Sequence, residues 1–295
     1  MTTDTGPRLS LAEPEPRREP TFWERFIREP QAILGTLIVL SLVLAAVLAP
    51  VLAPYDQFRP DVRNRRAPPS AEHFLGTDEL GRDVLTRMLY GAQISLAVAI
   101  SAVGLAMAVG TLLGALAGYF GGWVDVVISR IADTFLAIPS LVLTIAMVAA
   151  LGPGLDKIVI AIAMNSWAGY ARLVRGNFIA IKKNEFVEAA QAIGVRPARV
   201  IAIHILPNTI APIFVIAMLS TAGAILTEAG LSYLGIGINA PTPTWGGMLE
   251  QGLDYLRTAP HVAFFPGLAI LITTLGFNLL GEGLRDILDP KVRKR

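Results

Sequence analysis

The sequence predicts an all-α integral membrane protein with six transmembrane helices and both termini on the cytosolic side. Three observations predict it. Hydrophobic residues make up 53% of the 295, charged residues only 16%, and the mean hydropathy is +0.56. A soluble domain carries about 25% charged residues, so this surface is short of charge for water and suited to lipid. The apolar residues gather in six long blocks, each near the roughly 20 residues that a spanning helix needs. The basic residues concentrate between alternate blocks, as membrane topology demands.

Residues 1–32 form a polar cytosolic tail, with Arg8, Arg17, Arg18, Arg25 and Arg28 among six acids. No apolar core stands near the start, which argues against a cleaved signal peptide. At 21–29, Phe22, Trp23, Phe26 and Ile27 favour either a short interfacial helix or a loose hydrophobic cluster. The first span is 33–53, ended by Pro50 and Pro54, and an extracytoplasmic loop follows over 54–92. A core region, 93–282, holds the other five spans. These are 94–117; 131–151, with a kink at Pro139; 158–173, short, with Asn165, Ser166 and Trp167; 210–231; and 262–280. A cytosolic loop at about 174–208 separates the fourth span from the fifth, and residues 283–295 form a cytosolic tail.

With six spans both ends share one side. Of the 25 Lys and Arg, 17 fall in the tails and in the second and fourth loops, and 8 on the opposite side. The basic side is the cytosolic one. The first loop departs from the pattern, with six Arg beside six acids.

Cysteine is absent, which excludes disulfides and cysteine-based zinc or iron–sulfur sites. The net charge is +2 and its basic residues sit at segment ends, so nucleic acid is not an expected partner. His73, His204 and His261 lie in different loops, so a metal site is not expected. No Gly-x-x-x-x-Gly-Lys-Ser/Thr occurs, so the chain has no P-loop for ATP. Neither Gly-x-Ser-x-Gly nor His-Glu-x-x-His is present.

Inside the spans, Gly110, Gly114 and Gly118 recur every four residues, a ladder that lets helix backbones approach closely, within the chain or against a partner subunit. Asn165 and Asn278 suit interhelical hydrogen bonds. Glu228 lies near the outer end of the fifth span. An intramembrane acid points first to a translocation path; at a span end it could equally reach interfacial water or cap a helix. In the first loop, Asp78, Arg82 and Asp83 can knit an ordered turn before the second span.

The segment from Glu185 to Gly194 is a polar island between apolar blocks. Phe186, Ala189 or Ala190, Ile193 and Pro197 recur at three- or four-residue spacing, one face of a helix. Gly194 and Pro197 can end it. Glu188, Ala189 and Ala190, then Gly194, then Leu206 and Pro207 match the Glu-Ala-Ala, Gly, Ile-x-Leu-Pro spacing of inner-membrane permease subunits of binding-protein-dependent ABC importers. His204 stands where the general pattern has Ile. The loop block Gly76, Thr77, Asp78, Gly81, Arg82 and Asp83 resembles that of the C-type subunit in the peptide/nickel branch. Further blocks agree: residues 117–125, Arg130, Asp133, 137–140, 241–246, Phe265-Pro266-Gly267, Asn278-Leu279, Gly281 to Asp286 and Leu288-Asp289-Pro290.

The resemblance implies a type I importer permease fold in the bacterial cytoplasmic membrane. The chain would be a transport subunit, not an enzyme, moving di- or oligopeptides by alternating access. Nickel or another small solute is the alternative cargo. It implies a second, similar permease, two cytosolic ATPases and an extracytoplasmic substrate-binding protein. No cofactor is expected on this chain; ATP and Mg would sit on the ATPases. The Glu188 segment would couple to them. A secondary transporter would need midplane ionisable groups, and the spans offer almost none beyond Glu228. A membrane enzyme would need a clustered acid–base or metal set, which the spans lack.

Overall fold

The computed structural model describes residues 21–238 and 240–288. Most of the N-terminal tail and the Asp289-Pro290 end of the last motif lie outside the described residues. Those described form helices and connecting turns, with no strand beyond a single bridge between Thr77 and Asp83.

The expected helix near the N-terminus is α1, Phe22–Arg28. It carries a capping box: the Thr21 hydroxyl accepts from the Glu24 amide, and the Glu24 carboxylate accepts from the Thr21 amide at 2.9 Å. Glu29 is extended, and Pro30 opens α2, Pro30–Val47. A short turn, α3, Ala49–Leu52, completes the first apolar block. The second block lies inside α4, Val84–Phe120, which begins well before the predicted start of the core region at 93. Asp83 caps it, its carboxylate accepting from the Thr86 amide at 2.7 Å.

The third block differs from the sequence expectation. One kinked span was expected at 131–151. Two helices stand there, α5, Gly122–Ala137, and α6, Ser140–Leu151, bent by 96°. Pro139 holds residue 138 in an extended conformation, φ −89° and ψ 133°, and supplies no N–H, so the helix breaks outright. The fourth block also differs: α7, Leu155–Ile181, is a helix of 27 residues, about 40 Å long. Beyond it come α8, Glu185–Ala192; α9, Pro197–Arg199; a π-helical stretch Val200–Ile205; and α10, Leu206–Tyr233. The last helices are α11, Trp245–Leu253, and α12, His261–Leu288, which runs past the predicted core boundary at 282.

Among the described residues four stretches are long and apolar enough to cross a membrane, Pro30–Val47, Val84–Phe120, Pro197–Tyr233 and His261–Leu288; the bent α5–α6 pair makes five if it is one span. Helix α7 has the length but carries Asp156, Lys157, Arg172 and Arg175. Much of its length between those charges is covered: Ala161, Trp167, Tyr170, Ala171, Val174 and Phe178 are all buried, while the four charged residues are exposed or half-buried.

The main cover is α4, and the glycine ladder is the reason. A Cβ on Gly110 would stand 2.5 Å from Tyr170 Cβ, on Gly114 2.9 Å from Val174 Cβ, and on Gly118 2.6 Å from Phe178 Cβ. The ladder therefore meets this chain's own α7, not a partner subunit. Contacts advance together along both helices, so α4 and α7 run parallel. A second close seam joins α2 to α12, where a Gly35 Cβ would lie 2.8 Å from Leu280 Cα. The outer face of α2 leaves Leu34, Leu37, Leu40, Leu44 and Val47 exposed, an apolar stripe that the described residues do not cover.

Candidate functional site

The polar segment Glu185 to Gly194 starts where α7 ends. Lys182 Nζ donates to the Tyr119 carbonyl at 2.7 Å and sits 5.1 Å from that ring's centre, fixing the exit from α7 to the end of α4. Asn184 is extended, and α8 begins with Glu185 and Glu188 in its first turn, where carboxylates suit the helix dipole. Val187 and Ala190 turn inward and are buried. Glu188 and Ala189 face out with Phe186, 47% exposed, and Ile193, 82% exposed. The expected apolar face thus divides: Phe186, Ala189 and Ile193 are bare, while Ala190 packs into the chain.

Helix α8 ends in a left-handed turn. Gly194 has φ +81°; its amide donates to the Gln191 carbonyl at 3.0 Å, and the Val195 amide donates to Ala190 at 3.1 Å. Gly194 is exposed, with open space where a Cβ would stand. Leu206 is half-buried and Pro207 exposed, in the first turn of α10, so the Leu-Pro pair starts the helix that leads away from the segment.

The loop block at 76–83 is a buried ion cluster. Asp78 accepts from the amides of Leu80 and Arg82, each at 2.9 Å, and from Arg82 Nε at 2.6 Å. Arg82 also donates to Glu79 at 2.8 Å, and Arg87 Nε lies 3.3 Å from Asp78. Asp78, Arg82, Asp83 and Arg87 are each at most 4% exposed. Burial, then the neighbouring Asp78 charge, push the Glu79 carboxyl above its ordinary value. Asp83 accepts from His73 at 2.9 Å as well as capping α4. Thr77 donates to the Asn64 carbonyl and accepts from the Ala67 amide at 2.8 Å, while its carbonyl lies 3.1 Å from His261 Nε2. Gly76 and Gly81, at φ +77° and +80°, close the turns around it. The ordered turn read from the sequence is thus a clamp joining the loop to the starts of α4 and α12.

Glu228 points inward and is 1% exposed. It accepts from Ser232 Oγ at 2.9 Å and from Ser95 Oγ at 3.3 Å. Ser95 in turn accepts from the Trp245 amide at 3.2 Å, and Trp245 Nε1 donates to the Met88 carbonyl at 3.1 Å. The carboxylate thus pins α10 to α4 and α11. It reaches neither solvent nor either of the two described cavities.

Two further contacts escaped sequence reasoning. Arg175 pairs bidentately with Asp125, with Nη2 to Oδ2 at 2.7 Å, and Arg172 pairs with Asp133 at 2.6 Å. They fasten α5 to the C-terminal half of α7. Opposite charges at 125, 133, 172 and 175 were visible, but nothing local paired them.

A bundle of long apolar helices with an exposed amphipathic segment at α8 and a clamped loop before α4 suits a membrane transport subunit. The chain belongs to the family of binding-protein-dependent transport system inner membrane components, whose model matches residues 110–294. The model for the N-terminal TM domain of oligopeptide transport permease C matches residues 21–69. Among its relatives, the dipeptide transport system permease protein DppC of Alkalihalophilus pseudofirmus is 47% identical over 262 residues, 89% of this chain and 86% of that protein. The glutathione transport system permease protein GsiD of Escherichia coli is 46% identical over 288 residues, 97% of this chain and 95% of that protein. The Pectobacterium atrosepticum GsiD is 44% identical, covering 92% and 91%. The chain is therefore an ABC importer permease of the peptide/nickel branch, a multi-pass protein of the bacterial cytoplasmic membrane. ATP hydrolysis in such importers resides on separate subunits.

Proposed function

We propose that this chain carries di- or oligopeptides across the cytoplasmic membrane as one of two similar permeases. The observation that carries this reading is the 46–47% identity, across nearly the full length, to permeases of dipeptide and glutathione systems. Two cytosolic ATPase chains bind ATP and Mg, and a substrate-binding protein delivers peptide from outside. The chain spans the membrane six times with both termini inside. The parallel run of α4 and α7 supports this, because the α5–α6 pair between them must then return across the bilayer.

Helix α8 docks on an ATPase through its bare face. Glu188 supplies the charge, Phe186, Ala189 and Ile193 the apolar contact, and Gly194 the turn that lets the segment stand proud. Leu206 and Pro207 pass the movement into α10. Closure of the ATPases moves α8 as a rigid unit and tilts α4, α7 and α10, switching access between the two sides. The block 76–83 holds the outer loop, and Glu228 holds helices together rather than lining the path.

The test is uptake of labelled dipeptide, longer peptide and nickel ion in a strain lacking this chain and in the same strain carrying it back. Restored, ATP-dependent peptide uptake is expected; restoration of nickel uptake alone would overturn the cargo assignment.

A further inference from the structure

The ion pair between Arg172 and Asp133 is exposed at a depth where charge has no place against lipid. Its depth follows from the glycine seam. A Cβ on Gly110 would stand 3.0 Å from the Ala171 amide nitrogen, and one on Gly114 2.5 Å from the Ala171 carbonyl oxygen. Arg172 therefore lies level with the apolar stretch 94–117, in the half nearer α8. At that level α4 leaves Leu112 61% exposed. The Arg172 and Asp133 side chains are 60% and 51% exposed. Hydrocarbon does not solvate charge, so charged groups within a span turn to the bundle interior or to water. A partner helix seated over the pair would strip water from both ions at once, a cost that their attraction need not repay. A watery path through the bundle leaves them hydrated.

The two arginine ties on α7 are unequal. Arg175 holds Asp125 with two nitrogens, and these side chains are only 37% and 20% exposed. Arg172 offers Asp133 a single bond, Nη2 to Oδ1 at 2.6 Å. A guanidinium has five N–H donors, so Arg172 keeps donors that a second carboxylate can meet with two parallel bonds. An exposed pair is also weakly held and exchanges partners readily. Residues of both ties border a cavity of about 250 Å³, where Ser129 adds a hydroxyl and Ala132 and Ala171 are small enough to leave room. Arg130 is exposed one turn before Asp133 on α5, so three arginines stand against two aspartates here.

We propose that this cavity lies on the translocation path and takes the charged ends of a passing peptide, Arg172 receiving the terminal carboxylate and Asp133 the terminal ammonium. This rests on the peptide cargo proposed above. A free peptide is a zwitterion, so its ends replace the one Arg172–Asp133 pair by two pairs without changing the net charge. Recognition through the ends ignores the side chains, and one site then serves peptides of varied sequence. The Arg175–Asp125 tie stays closed and keeps α5 on α7 while the Arg172 pair is open.

The chain has no cysteine, so Ser129→Cys and Asp133→Cys each create a single thiol in the cavity wall. The first is nearly isosteric and guards against misfolding of the second, which still keeps Arg172 for the carboxylate. The assembled importer, its other chains cleared of reactive cysteine, is placed in phosphatidylethanolamine–phosphatidylglycerol nanodiscs, open on both faces. A water-soluble anionic methanethiosulfonate should modify either thiol severalfold faster than its cationic counterpart, drawn by the arginines. Alanylalanine at millimolar concentration should slow that reaction severalfold, whereas N-acetyl-alanylalanine amide, which lacks both charges, should not. Adding Arg172→Gln to Ser129→Cys should abolish the protection. Thiols that do not react at either position mark a covered surface and overturn the proposal. Thiols that react equally fast with and without alanylalanine mark a hydrated tie only, and equal protection by the blocked peptide excludes recognition of the ends; each overturns it too. In these cases the peptide cargo stands if the strain carrying the chain back still takes up labelled dipeptide. Absence of that uptake would overturn the cargo and the proposal together.

Discussion

Glu188 and Glu228 are both carboxylates on helices, and their surroundings give them opposite work. Glu188 is exposed in the first turn of α8, where nothing in the chain needs it. Glu188→Arg should therefore abolish uptake and the co-purification of ATPases while leaving membrane insertion and thermal stability unchanged. Glu228 is buried among hydroxyl donors from two helices. Glu228→Ala should destabilise the detergent-solubilised chain by about 1–3 kcal/mol, because it leaves buried donors unpaired. Glu228→Gln, which keeps an acceptor, should lose less; a thermal-shift series compares them. The sequence placed Glu228 near a span's outer end but could not aim it. Its partner Ser95 is 133 residues away, and a helix with apolar residues on every side gives no rotational cue.

Among the elements, α8 was the most legible, because a polar segment with a three-to-four-residue apolar repeat and a following glycine has few alternative structures. Gly194 sits at φ +81° with open space around it, so the expected effect of replacement is backbone strain rather than collision. Gly194→Ala should cost about 1–2 kcal/mol locally. It should weaken the stimulation of ATPase activity by loaded binding protein, with Gly194→Asn milder. Gly114 is the reverse case. Any side chain there strikes Val174 and the α7 backbone, so Gly114→Val should prevent accumulation of folded chain, read as loss of a monodisperse peak in detergent. The elbow was only half legible. Pro139 announces a break, but its 96° angle goes with α5 resting on both α4 and α7 and α6 on α7, contacts that no local pattern encodes.

For the whole molecule, the distribution of basic residues is what sets the expected sidedness, and helix length was the poorest guide to the spans. Helix α7 reads as a short span because charge interrupts its apolar run, and the structure shows that two of those charges, Arg172 and Arg175, pair with Asp133 and Asp125 on α5. Single cysteines at Trp23 and Arg285 should resist a membrane-impermeant maleimide added to intact cells, whereas cysteines at Ser70 and Arg257 should react; the reverse pattern would refute the orientation. The placement of ties along α4 and α7 has a mechanical consequence. Their shared glycine seam makes a doubled rod. One end is held by the buried cluster around Asp78, and the other carries Lys182, the Arg175–Asp125 pair and the bare helix beyond them. Were a docked ATPase to push on that free end, as proposed, the rod would pivot about the start of α4 that Asp78 holds, and its sweep would be widest at α8.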